Sequence, residues 1–103
     1  MNLSINRKIF NHIVKSPTYY SEGDLTFQYR LCDDNYLGFV VPRRLGAAHK
    51  RNQFKRRCRF LFYSMKKASP TLTIGVIIQT KCINMSYKRL NRAFANLNKG
   101  LVE

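Results

Sequence analysis

Arg43-Arg44-Leu45-Gly46-Ala47-Ala48-His49-Lys50-Arg51-Asn52-Gln53-Phe54-Lys55-Arg56-Arg57-Cys58-Arg59 is the stretch on which both the fold and the surface of this chain turn. Apolar residues return among its charges at helical spacing: Phe54, Cys58, Leu61 and Met65 follow i, i+4, i+7, i+11 and share a face with Ala47. That stripe predicts a helix with one side in the core. Arg51, Asn52, Lys55, Arg56 and Arg59 then fall together on an adjoining face. A charged helix face is ordinarily just solvated, with acidic and basic residues mixed. Here no Asp or Glu occurs between Asn35 and Val102, and more than half of the 19 lysines and arginines lie between Arg43 and Lys67. Like charges at Arg51/Lys55 and Lys55/Arg59 repel by a few tenths of a kcal/mol each. An external polyanion would compensate them. Guanidinium groups give forked donors to phosphate oxygens, lysine adds a mobile point charge, and Asn52 donates and accepts at a sugar or base edge. Gly46 allows a sharp turn that brings the amides of the helix N-terminus near an anion.

Working outward, Tyr36-Leu37-Gly38-Phe39-Val40-Val41 reads as a strand before the helix. Leu25-Thr26-Phe27-Gln28-Tyr29-Arg30-Leu31 alternates strictly, as a half-buried strand does, and is expected to be its hairpin partner across Asp33-Asp34-Asn35. Ser21-Glu22-Gly23-Asp24 reads as a polar turn. Ile5, Ile9 and Ile13 with Phe10 and Val14 predict a short amphipathic helix that Pro17 ends. Beyond the basic helix, Pro70 stops the chain. Thr71 to Thr80, with Ile74, Val76, Ile77 and Ile78, is apolar on both faces and predicts a central strand. Ser86 is the expected N-cap of a last helix on Tyr87, Leu90, Phe94 and Leu97, with Gly100 as its stop. The fold class expected is therefore α+β: a small single-domain sandwich over residues 1–103, in the order α-β-β-α-β-α, with helices packed on one face of a β-sheet.

A chain of 103 residues has room for one core. Its hydrophobic fraction of 45% is that of a globular protein, whereas its net charge of +14 is abnormal. Self-repulsion makes stability depend on salt, bound anions or an anionic partner. Cys32, Cys58 and Cys82 form no C-x-x-C pair and are expected to be reduced core residues, and His12 and His49 stand isolated, so no metal bound by the protein itself is expected. No apolar run approaches the ~18 residues of a membrane span, and the first fifteen residues do not resemble a secretory signal. A cytoplasmic protein with no membrane attachment and no obligate protein partner is the expectation. A protein nuclease acting alone would need clustered carboxylates or a histidine pair. The five acidic residues, Glu22, Asp24, Asp33, Asp34 and Glu103, lie at expected turns or the chain end.

The pattern Gly38-Phe39-Val40-Val41, Arg43-Arg44, Gly46, Ala48, Arg51-Asn52, Lys55-Arg56 and Arg59 resembles the signature of the protein component of bacterial ribonuclease P. The agreement extends more loosely over the whole chain in length, charge and order of elements. Three positions depart from it: Gln53 and Phe60, where a basic and an acidic residue are usual, and Pro42, where a small hydroxyl residue is common. The resemblance implies a left-handed crossover through the basic helix, a rare hand. It also implies that an RNA subunit is the catalyst, using Mg²⁺ to hydrolyse precursor tRNA and release its 5′ leader. The protein would be the accessory subunit of that endonuclease. Arg43, Arg44, Lys50, Arg51, Asn52, Lys55, Arg56 and Arg59 would then be its contacts to the catalytic RNA. Phe10, Thr26, Gln28, Arg30 and Val40 would line a cleft for the leader, with Gln28 standing where relatives often carry an aromatic. Composition alone favours a different reading, a structural RNA-binding protein such as a ribosomal protein. A DNA binder using the helix in a major groove is a further rival.

Overall fold

In a computed structural model, which describes residues 5–102, the chain divides into two compact units. One comprises the residues up to Val40 together with Leu72–Thr80. The other comprises Val41–Thr71 and the residues from Lys81 onward.

The first unit starts with helix α1 (Arg7–Lys15), whose first turn is capped by Asn6: its Oδ1 accepts the amide of Ile9 at 2.8 Å. Ser16 leaves helical geometry and Pro17 follows, as expected. Three antiparallel or parallel pairings then build one four-stranded sheet from β1 (Thr18–Glu22), β2 (Leu25–Leu31), β3 (Tyr36–Val40) and β4 (Ile74–Thr80), in the spatial order β1-β2-β4-β3. Two sequence expectations are corrected here. First, a strand is added: Thr18-Tyr19-Tyr20-Ser21-Glu22 pairs with β2, so the element order is α-β-β-β-α-β-α. Only Gly23-Asp24 turns, and Gly23, with φ 59° at the first central position, is what a tight two-residue hairpin of this hand requires. Tyr19 and Tyr20 are good strand formers. Taking Ser21–Asp24 wholly as turn hides them. Second, β2 and β3 are not a hairpin. β4 lies between them, antiparallel to β2 and parallel to β3, and the parallel pair is joined through the basic helix as a β-α-β crossover. β4 is buried on both faces at all but Gln79, as its run of branched residues predicts.

Two polar side chains, the buried Asn35 and the half-buried Thr73, tie the start of β4. Asn35 Oδ1 accepts the amide of Ile74 at 3.0 Å, and Thr73 Oγ1 donates to the carbonyl of Cys32 at 2.6 Å. α1 lies on the sheet against β2 and β4. The close approach is made possible by a missing side chain: a Cβ on Gly75 would stand 2.5 Å from Cδ1 and 3.0 Å from Cγ1 of the fully buried Ile13. Gly75→Ala is expected to destabilise the protein by about 1–3 kcal/mol through overpacking, because the added methyl would also stand 2.9 Å from Cys32 Sγ, so both neighbours must shift to admit it. A urea titration compared with wild type checks it.

In the second unit a 3-10 turn (Arg43–Leu45) leads into α2 (Ala48–Ala68), and α3 (Tyr87–Val102) packs against α2. Phe54, Cys58, Leu61 and Met65 are buried as the periodicity predicts, with Phe62 beside them. Ala47 does not join that stripe. It is the exposed N-cap, its backbone extended before the first helical turn. α3 brings Leu90, Ala93, Phe94 and Leu97, and its first turn is capped by Ser86, whose Oγ accepts the amide of Arg89 at 3.2 Å. Gly100 does not stop α3, which runs through it to Val102. Ser69 Oγ donates to Asn98 Oδ1 at 3.2 Å, fastening the end of α2 to α3.

All three cysteines are free thiols, but only Cys58 is a core residue; Cys32 and Cys82 are half-buried. Burial pushes the Cys58 thiol up to about 12, against a weaker opposing pull from Arg59. In the unfolded chain the thiol would ionise near its ordinary value of 9.0, so the stability this burial protects is present below that pH and lost as pH rises towards about 12. Iodoacetamide at pH 8 should therefore alkylate Cys58 only as fast as the protein opens. Peptide mass mapping over time, with and without urea, reads this directly.

Candidate nucleic-acid interface

At 3.6 residues per turn, α2 separates its side chains into a buried stripe and two flanks. Arg51, Lys55 and Arg59 form one i, i+4 row along the first flank, with Asn52 and Arg56 in the row beside it. Asn52, Arg56 and Arg59 are exposed, while Arg51 and Lys55 are half-buried at the edge of the stripe. Arg51 also braces the backbone, its Nε donating to the carbonyl of Gly46 at 3.2 Å and so pinning the helix to the turn before it. Gly46 closes that turn, its amide donating to the carbonyl of Arg43 at 3.3 Å, and no side chain caps the N-terminus of α2. Arg43 and Arg44 are exposed on the 3-10 turn.

Two members of the basic run stand apart. Lys50 is exposed, but the helix turns it to the opposite flank, where the half-buried Arg57 lies two turns along. Lys66 is only 3% exposed, and burial lowers its ammonium below its ordinary value. Neither departure is visible in charge counting, because position round the helix and depth of burial decide what the solvent meets.

The second candidate surface belongs to the other unit. Directly paired residues point to the same side of a sheet. The register Gln28↔Ile77, Arg30↔Gly75, Gly38↔Ile77 and Val40↔Gln79 therefore puts Thr26, Gln28, Arg30 and Val40 on the face that carries α1. Arg30 reaches up from β2, its Nη1 donating to the carbonyl of His12 at 3.0 Å, and so satisfies one of the last carbonyls of α1. Phe10 is half-buried, Val40 exposed, and Thr26 Oγ1 lies 3.1 Å from Ser21 Oγ. Gln28 is largely covered, at 8% exposure. Its partner on β1 is Tyr19, which is 62% exposed on the same face. Sequence reasoning misses Tyr19 because it misses β1. The signal is two adjacent tyrosines ahead of a Gly-Asp turn.

Residues 5–102, nearly the whole chain, match the family described as Ribonuclease P. The chain belongs to the ribonuclease P protein family. Membership supports a role in tRNA processing and implies association with ribonuclease P RNA. Among solved structures, the RNase P protein from Thermotoga maritima is 21% identical, with a TM-score of 0.78 over 97% of this chain and 97% of that one. The Staphylococcus aureus RNase P protein is 19% identical, with a TM-score of 0.72 over 95% of this chain and 93% of that one. At such identities these likenesses carry the ribonuclease P protein fold. No curated protein sequence matches the chain significantly. Among the described residues of this family member, no helix is long and apolar enough to cross a membrane. Nor do three His, Cys, Asp or Glu side chains come together as a metal-holding group.

Proposed function

We propose that this chain is the protein subunit of a ribonuclease P holoenzyme, in which a catalytic RNA hydrolyses precursor tRNA with Mg²⁺ and the protein binds both that RNA and the 5′ leader. The observation that carries the reading is the flank of α2, with Arg51, Asn52, Lys55, Arg56 and Arg59 at helical spacing in a chain of the ribonuclease P family. Arg43 and Arg44 extend that cation surface at the turn before the helix. The Mg²⁺ ions that activate water would sit on the RNA, and the protein's residues would neutralise phosphates that must be brought close for those ions to bind.

On the sheet, a single-stranded leader would run along the face beside α1, over Thr26 and Val40 and past Phe10. Gln28 offers no aromatic ring, and its amide is mostly covered. Tyr19, its exposed cross-strand neighbour, offers the aromatic surface on which a leader base would stack. Tyr19→Ala is expected to raise the dissociation constant for a precursor tRNA with a long leader by about 5-fold or more, the effect of losing one stacked base. The same variant should bind mature tRNA unchanged.

The test of the whole reading is single-turnover cleavage of a precursor tRNA by the cognate ribonuclease P RNA at low Mg²⁺, with and without the protein. Cleavage at the 5′ end that requires both components is the expected result. A well-folded protein that gives no rescue with a matched RNA would leave a general RNA-binding protein as the better account.

A further inference from the structure

Phe60 departs from the pattern of α2, whose other phenylalanines, Phe54 and Phe62, are buried. It is 61% exposed on the solvent side of the helix. Tyr63, three residues on, is 38% exposed beside it. A single exposed phenylalanine needs no explanation. What distinguishes this one is its neighbourhood. Arg56 stands one turn before it on the same row, Arg59 precedes it, and Lys67 follows two turns later, all exposed. No acidic residue occurs between Asn35 and Val102. A protein partner with an apolar socket for Phe60 would have to bury these cations alongside it. A nucleic acid carries both complementary groups, since phosphates meet arginine and lysine while an unpaired base meets an aromatic face. One helical turn between Arg56 and Phe60 spans about 5–6 Å, a reach comparable to that from a nucleotide's phosphate to its own base.

We propose that Phe60, flanked by Tyr63, is a stacking platform for an unpaired base of the ribonuclease P RNA, placed beside the phosphates that Arg56 and Arg59 engage. The inference rests on the reading of α2 as the RNA-binding helix and adds to it a site for a base. Its consequence is that binding here has a component that salt does not screen. Stacking replaces no counterion, so it changes affinity without changing the salt slope, whereas a phosphate contact changes both.

The experiment is titration of the fluorescently labelled cognate ribonuclease P RNA with wild type, Phe60→Ala, Phe60→Trp and Arg56→Ala over a series of KCl concentrations, with circular dichroism melts of each protein. Phe60→Ala should bind about 5- to 100-fold more weakly at every salt concentration with an unchanged log–log slope. Phe60→Trp should bind at least as tightly as wild type, and Arg56→Ala should have a shallower slope. If Phe60→Ala binds like wild type while Arg56→Ala has a shallower slope, the platform is refuted and the RNA-binding helix stands. If neither variant differs from wild type, the helix reading falls and takes the platform with it. A Phe60→Trp variant as weak as Phe60→Ala would rule out stacking. Unchanged RNA affinity with loss of a dimer in sedimentation would instead assign the patch to a second copy of the chain.

Discussion

Phe54→Ala should lower the stability of this protein by about 3–5 kcal/mol, the cost of removing a buried phenyl ring. Phe54 is 2% exposed and sits in the buried stripe of α2. The surrounding side chains relax only partly into such a void, so a cavity cost adds to the lost burial of the ring. Domains of this size have in total about 5–15 kcal/mol. A chain with a net charge of +14 also bears self-repulsion, so the variant is expected to be largely unfolded at low salt and to recover on adding sulfate. Phe60→Ala, six residues away on the same helix, should change stability by no more than about 0.5 kcal/mol because its ring is already in solvent. Thermal melts of the two variants at matched sulfate concentrations separate core from surface. Equal losses in both would contradict the burial that distinguishes these side chains.

The Arg56→Ala/Arg59→Ala double variant should bind ribonuclease P RNA about 40-fold more weakly at 0.1 M salt. Each phosphate contact contributes about 0.7–0.9 to the log–log salt slope, so over the decade from 1 M to 0.1 M each is worth about 6-fold. The slope itself should become shallower by about 1.4–1.8. Both side chains are exposed, so the melting temperature should scarcely move. Arg51→Ala is a less clean probe, since it also removes the hydrogen bond from its Nε to Gly46. An unaltered slope in the double variant would mean that this flank does not meet phosphate. Lys50→Ala, turned to the other flank, should leave the slope closer to that of wild type.

Local features are legible from residues alone wherever the deciding interaction lies within a few positions along the chain. The Phe54, Cys58, Leu61, Met65 stripe needs only the period of a helix, the Ser86 cap only the neighbouring amide of Arg89, and β4 only its run of branched residues. Ala47 and Gly100 show the limit even of local rules, since the first is the exposed cap of α2 and the second lies inside α3. The candidate RNA-contact residues of α2 follow from spacing and from the family resemblance. Spacing does not say that Arg51 is partly engaged with the carbonyl of Gly46, which depends on the conformation of the turn before the helix, or that Lys66 is buried, which depends on what packs beside the helix.

By itself the sequence determined the class of the fold, the amphipathic helices, the acid-free basic flank and the family to which the chain belongs, because each is written in short-range periodicity, charge or motif. Tertiary structure alone decided that β4 enters between β2 and β3, that β1 exists as a partner for β2, and that Tyr19 comes to lie beside Gln28. The hydrogen bonds of a sheet join residues distant along the chain, so their choice follows from burying all the apolar faces at once and not from any one segment. The same reason explains Gly75, which no local pattern singles out and whose lack of a side chain is what lets Ile13 of α1 rest on the sheet.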